Sequence, residues 1–127
     1  MSYEAYVLTK ESRDKLASIF PPKHLRAIGH HVTHRFGVAR CPNIPYGEQT
    51  HGWFEVVGYV EAPGIEALVV AVTGKTERPD GKVYHVTWSL DPDQGRKPAH
   101  SNDVIAQNGW TPLAQPIQFD AVLDYIA

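Results

Sequence analysis

The chain has 127 residues, 43% of them hydrophobic, and a formal net charge of -2, a size and composition expected of one compact domain with a single core. Charge this close to neutral excludes broad electrostatic capture of duplex DNA, so any nucleic-acid substrate is expected to be short or gripped at an end. A single cysteine, Cys41, cannot form an internal disulfide, and with no apolar leader at its start the chain is expected in a reducing cytoplasm.

Residues 3–8 are mostly aromatic or apolar and predict a strand, after which Thr9 offers an oxygen to cap a helix carrying Leu16, Ile19 and Phe20 on its inner face. Pro21 and Pro22 end that helix. Beyond a basic connector, 28–38 reads as a strand whose alternation puts His31, Thr33 and Arg35 on one face and His30, Val32, His34 and Phe36 on the other. The Pro-, Gly- and Asn-rich segment 39–52 predicts a loop that can cover a cleft. Residues 53–61 and 65–73 predict a hairpin turning at Ala62, Pro63 and Gly64. The apolar run within it is broken by Glu66 and is far shorter than the roughly 20 residues of a membrane span, so it reads as a central strand and no membrane is expected as a partner. A charged turn, 74–81, precedes the cleanest alternating strand, 83–90, where Tyr84, Val86, Trp88 and Leu90 share a face. After a polar loop, Ser101 is placed to cap a short helix ending near Asn108 and Gly109, and strand-like residues 113–126 finish the chain. The order of elements gives each half a helix and a His-containing strand, which suggests two related lobes, about 1–62 and 63–127, in one α+β domain.

His31-Val32-Thr33 and His85-Val86-Thr87 are the same tripeptide in two predicted strands, with His and Thr on one face and Val turned to the core. Cleaving a phosphodiester without a metal requires a group to take a proton from the attacking oxygen, another to protonate the leaving oxygen, and donors for the phosphoryl oxygens. His31 and His85 supply the proton carriers, and Thr33 and Thr87 supply short, stiff hydroxyl donors. One copy of so short a motif says little; two identical copies on strands say more. No cofactor and no metal are expected, and which histidine is acid and which is base stays open.

These paired motifs resemble those of the 2H phosphoesterase superfamily, and the second half is most similar to the cyclic phosphodiesterase domain of fungal tRNA ligases, through Lys97, Pro98, Ser101 and Asn102 after the second motif. The resemblance implies a two-lobed, pseudo-symmetric fold in which antiparallel sheets form a central cleft with a helix outside each lobe. It implies opening of a 2′,3′-cyclic phosphate at an RNA 3′ end or on a small nucleotide, by a protein expected to be monomeric. The same superfamily offers a second enzymatic reading, hydrolysis of a cyclic oligonucleotide signal of the anti-defence kind. A different class is a binding module that holds nucleotide or RNA ends without turning them over.

Among the remaining polar residues, Arg35 is a candidate phosphate clamp, and Ser89, Lys97 and Tyr46 are candidate substrate contacts, with His51 a further base-facing candidate. His30, His31 and His34 have a spacing that would suit zinc on a helix, but on a strand His30 and His34 are expected to point away from His31. Trp53, Trp88 and Trp110 can stack a base, with Trp88 expected in the core instead.

Overall fold

Apolar residues at every second position let one face of each strand turn inward, and here that face closes on itself. The computed structural model describes residues 2–127, and their side chains except those of 49–51. Its elements are β1 (Tyr3–Leu8), α1 (Lys10–Ile19), β2 (Arg26–Ala27), β3 (His31–Phe36), β4 (Gln49–Ala62), β5 (Ile65–Val72), β6 (His85–Leu90), α2 (His100–Asn108) and β7 (Thr111–Ile126). The strands form one sheet in the order β2-β6-β3-β1-β7-β4-β5 with antiparallel neighbours, and a further β5–β6 pairing closes six of them into a barrel. The α+β class and antiparallel pairing agree with the sequence. Separate sheets for residues 1–62 and 63–127 do not, because the β4–β5 ladder continues to Ala62↔Ile65 across that boundary. Among the described residues no helix is long and apolar enough to cross a membrane.

The barrel interior takes residues from all six strands, among them Tyr6, Val32, Phe54, Val56, Leu68, Val70, Val86, Trp88 and Phe119, and Leu16 of α1 joins them. Burial of this kind, at about 25 cal/mol per Å², is the main stabilising contribution. A second cluster outside the barrel packs Val104 and Ile105 of α2 onto Val60, Ile65, Ala67, Val69 and Leu90. Thr9 caps α1 as the sequence predicts, accepting from the Ser12 N–H. Ser101 does not cap α2: the N-cap is Ala99, with no side-chain bond, and the Ser101 hydroxyl is bonded to Thr87 instead.

Both motif strands depart from strict alternation at the same point. On β3, Ala5 faces Thr33 but Glu4 faces Arg35, so His34 is an extra residue; on β6, Ala67 faces Thr87 but Glu66 faces Ser89, so Trp88 is an extra residue. A β-bulge of this sort reverses which side chains face outward beyond it. Arg35 therefore leaves the face of His31 and Thr33, Ser89 leaves the face of His85 and Thr87, and Leu90 joins the outer cluster rather than Trp88's inner one. Each displaced residue meets a buried glutamate. Arg35 Nε donates to Glu4 Oε1 at 3.0 Å and Ser89 Oγ donates to Glu66 Oε1 at 2.6 Å. A tyrosine hydroxyl completes each set, Tyr46 on Glu4 and Tyr59 on Glu66.

The start of β3 also differs from the predicted strand. Gly29 sits in the left-handed region, with φ of 51°, and a Cβ there would lie 2.9 Å from the Trp88 ring, so both backbone and space call for glycine. The kink separates β3, which begins only at His31, from β2 at Arg26–Ala27, so the predicted 28–38 strand is reduced to 31–36 and His30 falls outside the alternating pattern.

Candidate active site

β3 and β6 meet at the Val32↔Val86 pair, the centres of the two repeated tripeptides. Both valines are fully buried in the barrel, so their neighbours face outward, and the antiparallel register brings His31 toward Thr87 and Thr33 toward His85. All four line one cleft of about 420 Å³ on the outside of the barrel, within the size range of small-molecule sites. These are the four residues that the repeated motif marks in the sequence, and the rest of the wall comes from segments outside the motif.

The hydroxyl of Thr87 donates to the Pro98 carbonyl at 3.1 Å and lies 2.9 Å from Ser101 Oγ, which ties β6 to the start of α2. His85 Nδ1 lies 2.8 Å from the Val83 carbonyl, which can only accept, so Nδ1 carries a proton and Nε2 is the free nitrogen. His31 Nδ1 lies 3.0 Å from His30 Nδ1, so its free nitrogen is also Nε2. Burial pushes both rings below the ordinary histidine range; His31, with added repulsion from His30 and His85, is pushed down to about 4.

That depression has a measurable consequence. An unfolded chain protonates this histidine near pH 6.5, whereas the folded chain resists until about 4, so the stability due to His31 is present above 6.5 and is lost as pH falls toward 4. His31→Gln is expected to flatten that part of the pH profile, as read from urea midpoints at pH 7, 5.5 and 4.5. An unchanged profile would mean that His31 is not held neutral.

Beside Ile28, from the stretch between β2 and β3, the further lining residues fall into three groups. Arg78, Asp80 and Lys82 belong to the turn before β6; Pro98, Ala99 and Asn102 to the start of α2; Tyr3 and Phe36 to β1 and β3. Arg78 is almost fully buried and binds Asp80 through two of its three nitrogens, Nε to Oδ1 at 3.1 Å and Nη2 to Oδ2 at 2.6 Å. That guanidinium, with the Lys82 backbone N–H, holds the Asp80 carboxyl down at about 2. Tyr3 stacks on Phe36 with ring centroids 5.8 Å apart and lies 5.4 Å from the His31 ring. Phe36, 55% exposed, reaches this wall because the bulge at His34 turned it outward. Asn102 Oδ1 is buried and has no hydrogen-bond partner among the described residues.

Other candidates lie elsewhere. Arg35 is engaged by Glu4, Ser89 by Glu66, and Tyr46 donates to Glu4 at 2.6 Å, so none of the three lines the cleft. Lys97 is exposed beside the cleft residue Pro98 but is not part of the lining, and its backbone N–H donates to His100 Nδ1. The segment 39–48 docks on β1 and β7, through Tyr46 to Glu4 and Gly47 N–H to the Leu123 carbonyl, and does not cover the cleft. The side chain of His51 lies outside the described residues. His34 turns inward, bonding Tyr84 at 2.7 Å, as alternation predicts, whereas His30 does not point away from His31 but touches it. Trp88 is in the core, with Nε1 donating to the Phe20 carbonyl. Trp110 packs over Gly58, and Trp53 is exposed away from the cleft lining.

Arg78, Lys82, Tyr3 and Phe36 had no motif to mark them. The one available signal was the run of charge in 74–82 immediately ahead of a motif strand. Comparison with protein-family models, curated proteins and solved structures finds no match to this chain.

Proposed function

We propose that the protein is a metal-independent phosphodiesterase that opens a 2′,3′-cyclic phosphate, or a similar phosphodiester, on an RNA 3′ end or a small nucleotide. The observation that carries this reading is the meeting of the two His-Val-Thr tripeptides across one seam, where both imidazoles line one cleft and each is engaged through Nδ1, leaving Nε2 free. In this reading one histidine takes the proton of the attacking water and the other protonates the ribose oxygen that leaves. Thr33 holds a phosphoryl oxygen, Thr87 holds another once its hydroxyl turns from the Pro98 carbonyl to the substrate, and Lys82 adds positive charge from the same wall. The likeness to the 2H phosphoesterases, including their two-lobed pseudo-symmetry, is supported by the matching bulges after Thr33 and Thr87 and by the matching Glu4 and Glu66 sets.

A nucleotide suits the cleft better than a bare phosphodiester because its aromatic and polar features are separated. Tyr3 and Phe36 offer a stacking surface on the His31 side, and Asn102 Oδ1 offers an acceptor for a ribose hydroxyl or a base N–H. Base stacking of this kind contributes about 1–3 kcal/mol, so Phe36→Ala is expected to raise KM about tenfold with little change in kcat. Steady-state kinetics on a cyclic mononucleotide read this directly; an unchanged KM would remove Phe36 from the substrate site.

The test of the function is turnover, in EDTA, of 2′,3′-cyclic mononucleotides, short RNAs with cyclic ends, and cyclic dinucleotides. Hydrolysis that survives EDTA and is lost in both His31→Ala and His85→Ala is the expected result. Hydrolysis confined to cyclic dinucleotides would shift the substrate to cyclic oligonucleotide signals. Binding without turnover of any of them would replace catalysis by a holding role.

A further inference from the structure

The two cleft histidines are chemically unequal, and the inequality begins with a residue outside the repeated motif. His85 has its tautomer set by a backbone carbonyl: the Val83 oxygen takes the Nδ1 proton and leaves Nε2 as a lone pair. His31 has no carbonyl in that position. Its Nδ1 meets the Nδ1 of His30 at 3.0 Å, with the rings edge to face, 81° apart.

We propose that His30 is a positioning residue that donates its Nδ1 proton to His31 Nδ1, holds the His31 proton on Nε2, and thereby makes His31 the acid and His85 the base. This rests on the phosphodiesterase reading given above. Only one hydrogen can lie between two Nδ1 atoms, and the surroundings decide its owner. A charge shared by the two rings is better solvated on the exposed His30 than on the half-buried His31. A doubly protonated ring can only donate, so the bond then runs from His30 to His31. The opposite sense would leave two lone pairs facing the cleft and no proton for the leaving oxygen.

The groups facing His31 leave His30 as its hydrogen-bond partner. Tyr3 of β1 contributes a ring face, and His85 of β6 stands across the cleft. The wall ahead of β6 contributes Arg78, Asp80 and Lys82, of which Asp80 is spent on Arg78. The kink at Gly29 takes His30 out of strand alternation, which would otherwise have sent its ring to the opposite face.

The proton balance follows from these bonds. Water attacks phosphorus and gives a proton to His85 Nε2 as the P–O bond to ribose breaks. The leaving oxygen takes the proton of His31 Nε2, and His31 Nδ1 takes the proton of His30 Nδ1, so no imidazolate forms. Once product leaves, His31 Nε2 takes a proton from solvent in the open cleft, the shared proton returns from His31 Nδ1 to His30 Nδ1, and His85 releases its proton to solvent; the sum is addition of one water across the bond.

Imidazole 15N NMR of the unliganded protein, together with kinetics of His30→Asn and His30→Ala, tests this. Asparagine keeps an N–H near the Nδ1 position but has no proton to pass on. Expected are His31 with its proton on Nε2 and His85 with its proton on Nδ1 in the parent and in His30→Asn, and loss of the His31 preference alone in His30→Ala. Both variants should lose about 10- to 100-fold in kcat, a part of what an acid supplies, with KM within about twofold. The alkaline limb of kcat should move to lower pH in His30→Asn, since the buried His31 then titrates alone. A His30 acting only as a neighbouring charge would move that limb upward. A His31 proton on Nδ1, or parental kcat in both variants, overturns the proposal. A parent silent on every substrate overturns the phosphodiesterase reading instead, and the NMR result then decides the tautomers by itself.

Discussion

His85→Asn is expected to lower kcat by about 10²–10⁴ while the fold survives, which makes it a cleaner test than truncation. His85 is buried, and its Nδ1–H satisfies the Val83 carbonyl at 2.8 Å; an alanine would leave that carbonyl without its donor. The asparagine amide occupies nearly the same place as Nδ1 and keeps the bond, but it has nothing in the position of Nε2. If His85 takes the proton of the attacking water, that variant loses turnover and still binds a cyclic nucleotide. The check is a single-turnover assay beside a binding isotherm and a thermal melt. Retained turnover with an unchanged melt would contradict the assignment of His85 to proton transfer.

Glu66→Ala is expected to cost about 3 kcal/mol or more of stability, the largest effect expected away from the cleft. Glu66 is 1% exposed, and its carboxylate accepts from Ser89 Oγ at 2.6 Å, from the Lys23 N–H at 2.9 Å and from the Tyr59 hydroxyl. Those donors come from β6, from the connector after α1 and from β4, so one carboxylate joins three segments of chain at one end of the barrel. Removing it strands three donors where water is scarce, each worth about 1–3 kcal/mol if left unmade, with partial relief as Tyr59 and Lys23 turn to solvent. Urea unfolding of parent and variant, compared at equal slope, measures the loss. A loss under about 1 kcal/mol would mean that the bulge at Trp88 holds without Glu66. The matching position, Glu4, is predicted by the same reasoning to behave alike, because it collects Arg35 and Tyr46 at the β1–β3 pairing.

His31, Thr33, His85 and Thr87 were legible because their spacing of two, repeated identically, needs only local strand geometry to place each pair on one face. The loss of Arg35 and Ser89 from that face was not legible. Each sits one residue past a bulge, and a bulge depends on how the strand pairs with its neighbour, which alternation within one strand does not contain. The same bulge that withdrew Arg35 delivered Phe36 to the cleft wall. Arg78 reads as an ordinary charge in a turn until Asp80, two residues on, is seen to neutralise it in an almost buried site.

Local chemistry along the chain determined roughly where strands and helices run, which residues turn inward as far as the bulges, and that two His-Val-Thr faces would be available. Those properties follow from side-chain period and capping, which act over a few residues. Tertiary structure alone decided that the strands close into one barrel rather than two sheets, that the faces meet at Val32 and Val86, and that His30 rather than a carbonyl sets the ring of His31. Closure, register and the partner of a ring nitrogen depend on contacts between segments far apart in sequence, and such contacts form only when the whole chain has found one arrangement that buries its core.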